Sequence, residues 1–188
     1  EQMHLPLQSG SDRILRRMRR WYSMETFYEK VDLLRDRLPD ATLSTDLIVG
    51  FPGETEEEFE MTMEAVKNVR FDLIYSFKYS PRPGTRAAEY PEQLSEKVKA
   101  ERLKVLLETQ EKIIREKNEA LVGTIQEVLI EGNHQRKENS VTGRTRGNHS
   151  VSIKNCGEKA GELLAVRITG ANPSSLAAEP FAASPFSG

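Results

Sequence analysis

An α/β fold followed by a small antiparallel β-barrel is the architecture that this 188-residue sequence predicts. Two observations carry the prediction. Strand-like and helix-like segments alternate over the first two thirds of the chain, the pattern of βαβ units on a parallel sheet. After Gly123 the apolar period shortens to two, and short β-branched runs follow at roughly 8 to 12 residue spacing. The predicted domains are residues 1–121, 122–173 and a loose tail at 174–188.

Taken in order, His4-Leu5-Pro6-Leu7 is a strand-like start ending in Gln8-Ser9-Gly10. Ser11 caps a helix with Ile14, Leu15 and Met18 on its apolar face, and Ser23 starts a second with Phe27, Val31, Leu34 and Leu38. Leu43 to Val49 reads as a buried parallel strand, stopped by Gly50-Phe51-Pro52-Gly53. Thr55-Glu56-Glu57-Glu58 is a capping box. Phe71 to Tyr79 is the next strand, and two prolines stiffen the loop Ser80 to Thr85. A long helix from Leu94 to about Leu121 presents Leu103, Leu106, Leu107, Ile113, Ile114 and Leu121. Thr124 to Glu131, Ser140 to Thr145, Ser150 to Lys154 and Leu163 to Thr169 supply the barrel strands, with a turn at Gly132-Asn133. Three βα units cannot close an eight-stranded barrel, so the first unit reads as the back part of a larger one.

Composition narrows the function classes. Apolar residues are 37%, charged residues 30%, and mean hydropathy is -0.57, which excludes collagen-like and largely disordered chains. No apolar run is long enough to span a membrane, and the start does not read as a signal peptide. One cysteine, Cys156, cannot form an internal disulfide framework or a multi-cysteine metal site. A cytoplasmic setting is the expectation. Net charge is -2, so the total names no partner.

Polar or glycine-rich clusters sit at three strand ends: Gln8-Ser9-Gly10, Asp46 with Gly50 to Glu54, and Lys78 with Ser80 to Thr85. The carboxyl ends of parallel strands are where α/β folds build sites, and a nucleotide-like ligand fits them. The alternative is that the glycines only turn the chain. Asp46 inside an apolar strand is either bonded structurally or aimed at a ligand hydroxyl or ammonium. His4 reads as structural and Cys156 as an ordinary thiol.

Three long motifs resemble one family. They are His4-Leu5-Pro6-Leu7-Gln8-Ser9-Gly10-Ser11-Asp12, then Thr45-Asp46-Leu47-Ile48-Val49-Gly50-Phe51-Pro52-Gly53-Glu54-Thr55, then Tyr79-Ser80-Pro81-Arg82-Pro83-Gly84-Thr85-Arg86-Ala87-Ala88. In this order they resemble the radical-SAM methylthiotransferases, and Gly143-Arg144-Thr145 resembles a signature turn of their TRAM domain. The resemblance implies the C-terminal part of a radical-SAM (partial TIM-type) barrel with a TRAM-like β-barrel. It implies a tRNA methylthiotransferase that uses S-adenosylmethionine and two 4Fe-4S clusters. Its expected product is 2-methylthio-N6-isopentenyladenosine beside the anticodon, so its expected partner is the tRNA anticodon stem-loop. The cluster cysteines of the family are missing here. This portion alone is therefore expected to be inactive, with no catalytic and no metal-binding residue.

By resemblance, Gln8, Ser9, Arg20, Asp46, Ile48 and Gly50 contact S-adenosylmethionine. Arg144, Arg146, Asn148 and Lys154, with Arg136, Lys137 and His149 nearby, contact RNA. Two other readings stay open: a non-catalytic RNA-binding module, or a paralogue acting on threonylcarbamoyl-adenosine tRNA or a ribosomal protein. Residues 4–8 are expected to form an exposed sheet edge through which the chain self-associates.

Overall fold

The structure, a computed structural model, describes residues 1–133, 140–154, 156–157 and 159–181. It divides into two compact units, Met3–Ile113, and Ile114–Gly188 with Glu1–Gln2. The division falls inside one helix.

The first unit contains most of β1 (Gln2–His4), α1 (Asp12–Arg17), α2 (Met24–Arg37), β2 (Thr42–Val49), α3 (Glu56–Val69), β3 (Leu73–Lys78), a 3-10 turn at Arg86–Glu89 and most of α4 (Glu96–Ala120). Sheet order is β1-β2-β3. β2 and β3 are parallel, with Asp46 opposite Tyr75 and Ile48 opposite Phe77. The caps follow the sequence. Ser11 and Ser23 accept from Ile14 and Thr26 amides, and Thr55 with Glu58 completes a capping box. α3 ends at Arg70 in a left-handed conformation.

The core of this unit packs Leu43, Leu47 and Val49 of β2 against helix residues Phe27, Val31, Phe59, Met63, Val66, Leu106 and Ile113. Each such side chain contributes about 1.5–3 kcal/mol of apolar burial. The other face of β2 is buried at Ser44 and opens from Asp46 onward. Asp46 and Ile48 alternate with the core residues and are half-buried. The expectation of a strand buried on both faces is thus corrected, and Asp46 is not a buried carboxylate. Leu107 is also corrected, because it lies exposed on α4.

β1 is the edge of the sheet at Gln2–His4, so of the expected edge residues 4–8 only His4 belongs to that strand. Past β1 the chain stays on β2, where Leu5 and Gln8 amides donate to Ser44 and Asp46 carbonyls and the Ile48 amide donates to Gln8.

The second unit is a closed barrel in the order β4-β5-β6-β8-β7, built from β4 (Ile125–Asn133), β5 (Ser140–Thr145), β6 (Ser150–Lys154), β7 (Leu163–Ala171) and β8 (Leu176–Pro180). Its core includes Val128, Ile130, Val141, Val151, Ile153, Val166, Ile168 and Leu176. Three expectations are corrected. β8 lies inside the supposed tail and closes the barrel, so the domain does not end at 173. β8 pairs with β6 in parallel, so the barrel is not wholly antiparallel. Gly132 sits at a shift of register within β4 rather than in a turn between strands. Cys156 is buried in this core. The rest of the supposed tail, 182–188, and Arg136 and Lys137 lie outside the described residues.

Candidate ligand cleft and barrel surface

A cleft of about 1150 Å³ opens in the α/β unit over the carboxyl ends of the strands. Its lining comes from four chain segments: Gln8; Arg17 to Arg20; Asp46, Ile48 and Phe51; and the stretch from Phe77 through the proline loop to Tyr90. The volume is large for a single drug-sized ligand.

Gln8 is the most informative residue. Its backbone is left-handed, with φ of 67°, because its amide and carbonyl bridge Asp46 and Ile48 of β2. That conformation costs a non-glycine residue energy. Its side chain lines the cleft, is 5% exposed, and has no hydrogen-bond partner among the described residues. Its carboxamide is therefore free to bond water or a polar ligand in the cleft.

Asp46 lines the same wall. Its carboxylate lies 3.4 Å from His4 Nε2, and His4 Nδ1 is 3.0 Å from Ser44 Oγ. His4 therefore orients Asp46 from the strand edge. Ile48 adds an apolar patch, and Arg20 reaches the lining from the turn after α1.

Ser9 and Gly50 stand behind the lining. The Ser9 hydroxyl accepts from the Ser11 amide at 3.2 Å. The Gly50 amide donates to Glu54 Oε2 at 2.7 Å, and a Cβ on Gly50 would lie 2.5 Å from Lys99 Cγ. Both residues shape the loops rather than face the cavity. Gly10 has the same role: a Cβ there would lie 2.5 Å from the Met61 carbonyl and Thr62 Cα.

Two ion-pair clusters hold these loops. Arg102 Nη1 donates to Glu54 Oε2 at 2.7 Å, with the two side chains 7% and 1% exposed, and Nη2 reaches Glu56 at 2.9 Å. Burial pushes the Glu54 carboxyl up despite the Gly50 amide and Arg102. Glu58 behaves oppositely. Burial opposes its charge, but Arg13, the Thr55 amide and the Ser11 hydroxyl outweigh it and hold the carboxyl at about 2. Arg13 also donates to the Gly53 carbonyl.

Sequence reading missed Arg102, Lys99 and the floor formed by Phe51, Tyr79 and Tyr90. Ring centroids there are 5.2 Å apart for Phe51–Tyr79 and 6.3 Å for Phe51–Tyr90. A signal existed for the cations: 99, 102, 106, 110 and 113 share one helical stripe, so two charges point inward with Leu106 and Ile113.

On the barrel, Arg144 lies within β5, not in a turn. Gly143 before it has strand packing to satisfy, since a Cβ would meet the Leu129 carbonyl at 2.5 Å. Arg144 Nε pairs with Glu131 at 3.0 Å and Nη1 donates to Asn148 Oδ1 at 3.1 Å. Arg146 Nε pairs with Glu127 at 2.8 Å. Asn148 takes a left-handed turn conformation between β5 and β6, and Lys154 is exposed at the end of β6. The structure thus gathers Arg144, Arg146 and Asn148 around one hairpin, with each arginine already held by a glutamate.

Residues 1–66 match the Radical SAM superfamily and residues 119–181 match the TRAM domain. The chain is 45% identical over 171 residues to a tRNA-2-methylthio-N(6)-dimethylallyladenosine synthase of Pelotomaculum thermopropionicum, covering 91% of this chain and 38% of that protein. It is 51% identical over 168 residues to the protein of that name from Methylacidiphilum infernorum, covering 89% and 36%. For that of Aquifex aeolicus the identity is 44% over 177 residues, covering 94% and 40%. The chain thus spans about two fifths of the length of these curated relatives. Two matched domains lie in this one chain, and over about nine tenths of its length it is similar to proteins that carry this one name.

Proposed function

We propose that this chain is the cofactor-positioning and RNA-docking part of a tRNA methylthiotransferase. In this reading the whole protein adds a methylthio group at C2 of N6-isopentenyladenosine in tRNA, and it works in the cytoplasm. The observation that carries it is the cleft wall of Gln8, Asp46 and Ile48, together with relatives named for this product.

The residues present fit S-adenosylmethionine. The unpartnered Gln8 carboxamide offers both a donor and an acceptor. Asp46, oriented by His4, accepts from the ammonium or ribose hydroxyls. Arg20 matches the carboxylate with its forked donors, and Ile48 covers the adenine. Ser9 and Gly50 set the loops that place these groups. The cofactor supplies radical chemistry with the iron–sulfur clusters of the family. The residues here do not fit a cluster, since one buried thiol cannot replace three cysteines. This chain's own part is to bind, orient and shield.

On the barrel, Arg144, Arg146, Asn148 and Lys154 dock the anticodon stem-loop, the arginines exchanging glutamate for phosphate. The β1 edge supports self-association, which concentration-dependent light scattering reads.

The deciding experiment titrates S-adenosylmethionine into the whole, cluster-loaded protein and into its Asp46→Ala variant. The expected loss is about tenfold or more in affinity. Equal affinity in the two would place the cofactor elsewhere.

A further inference from the structure

Gln8 takes a backbone conformation that its neighbours must hold in place. The Ser9 amide donates to the Leu7 carbonyl at 2.8 Å, which closes a three-residue turn centred on Gln8. With φ of 67° at its centre, this is the rare and strained hand of such a turn. A glycine would adopt that φ freely, whereas a side chain makes it unfavourable. Strain of this kind persists only where surrounding contacts over-determine it, and it gathers at ligand sites.

The sheet supplies the first set of contacts. The Gln8 amide donates to the Asp46 carbonyl at 2.8 Å, and the Gln8 carbonyl accepts from the Ile48 amide at 3.0 Å. The Thr45 hydroxyl accepts from the Leu7 amide at 2.9 Å and donates to the Leu5 carbonyl at 2.7 Å. These bonds tie the segment to β2, and none of them reaches the Leu7 carbonyl that closes the turn.

The second set is a single phenol. Tyr22, in the loop between α1 and α2, places its hydroxyl 3.0 Å from the Pro6 carbonyl and 3.1 Å from the Leu7 carbonyl. Burial pushes the phenol pKa up against the opposing charge of Arg20, so at neutral pH the hydroxyl keeps its proton. Both facing groups are acceptors, so the hydroxyl donates and shares its one proton between them. The Leu7 carbonyl thus accepts twice, from the amide that closes the turn and from Tyr22.

What the turn presents is one polar side chain. Leu7 and Ser9 on either side are fully buried, while Gln8 lines the cleft without a hydrogen-bond partner among the described residues. A fixed backbone leaves its carboxamide only the side-chain torsions to settle on binding.

We infer that Tyr22 is a positioning residue: its hydroxyl locks the turn from Leu7 to Ser9 and so aims the Gln8 carboxamide at the cofactor. This rests on the reading of Gln8 as a contact to S-adenosylmethionine.

The test is a double-mutant cycle on the whole, cluster-loaded protein, titrated with S-adenosylmethionine. Tyr22→Phe removes the hydroxyl and keeps the ring, and should weaken binding about 3- to 10-fold. Gln8→Ala should weaken it about 10-fold. In that second background Tyr22→Phe should change affinity by less than about twofold, because the group it aims is gone. Hydrogen exchange in the whole protein without S-adenosylmethionine reads the turn itself. There the Ser9 amide should exchange about 3- to 10-fold faster in Tyr22→Phe, with the amides of α3 unchanged. A tyrosine with a merely structural role would lower affinity equally with and without the Gln8 side chain. That additive result, unchanged affinity in Tyr22→Phe, or unchanged exchange at Ser9 overturns the inference and leaves the cofactor reading standing. Unchanged affinity in Gln8→Ala overturns the placement of Gln8 at the cofactor, and this inference with it.

Discussion

The two units solve opposite problems. The barrel joins every strand to two neighbours and fills its interior with Val, Ile and Leu, so apart from the buried Ser140 and Thr145 its described polar side chains work on the outside. The α/β unit buries one face of an open sheet and leaves the other face polar and half-exposed. It takes charges inside, at Glu54, Arg102, Glu58 and Lys99, to hold the loops around a cleft. The difference teaches where each unit can afford function. A closed barrel displays side chains on a stiff surface, while an open sheet with braced loops surrounds a ligand.

The comparison breaks most readily at the braces. Arg102→Ala leaves the buried Glu54 carboxyl without its partner, and should cost about 3–5 kcal/mol in chemical denaturation. Replacing both partners by apolar residues of similar volume, Arg102→Met with Glu54→Leu, should recover most of that loss. The matching lesion in the barrel is Ile153→Ala, a cavity costing about 2–5 kcal/mol with no polar group to repair. Hydrogen exchange should locate the first loss in residues 42–78 and the second in 125–180. Equal recovery of the Arg102 lesion by restoring charge alone would refute the apolar repair.

A smaller effect sharpens the contrast through pH. The Glu58 carboxyl is depressed from its ordinary value of 4.5 to about 2 in the folded chain. Its stabilisation is therefore full above about pH 4.5 and disappears as pH falls toward 2. Glu58→Gln should remove that slope and cost about 1–3 kcal/mol at neutral pH, toward the low end because Arg13 is half exposed. Acid titration of the two proteins by circular dichroism measures both. Parallel acid transitions would show that Glu58 does not set the slope.

Local signals made much of the fold legible. Ser11, Ser23 and the Thr55–Glu58 box mark helix starts because caps depend on neighbours within three residues. The cleft position was legible too, since Gln8, Asp46 and Lys78 all stand at strand ends. What escaped depends on contacts distant in sequence. β8 reads as a tail because Leu176 to Pro180 is small and alanine-rich, and only its place between β6 and β7 makes it a strand. Asp46 reads as buried because nothing local says that one face of β2 is open. Arg144 and Arg146 read as RNA contacts in a turn, and the glutamates that hold them lie 13 and 19 residues away on β4.

The closing strand has a consequence for how the chain is made. β8 is the last of the barrel strands in chain order, yet it joins β6 to β7, and both of those strands keep a bare edge until it arrives. A ribosome delivers those residues after every other stave. The barrel therefore cannot complete itself during synthesis of β4 to β7, and its precursor carries two bare strand edges. A chain ending at Pro173 keeps those edges permanently, and nothing remains in it to prevent pairing with a neighbour.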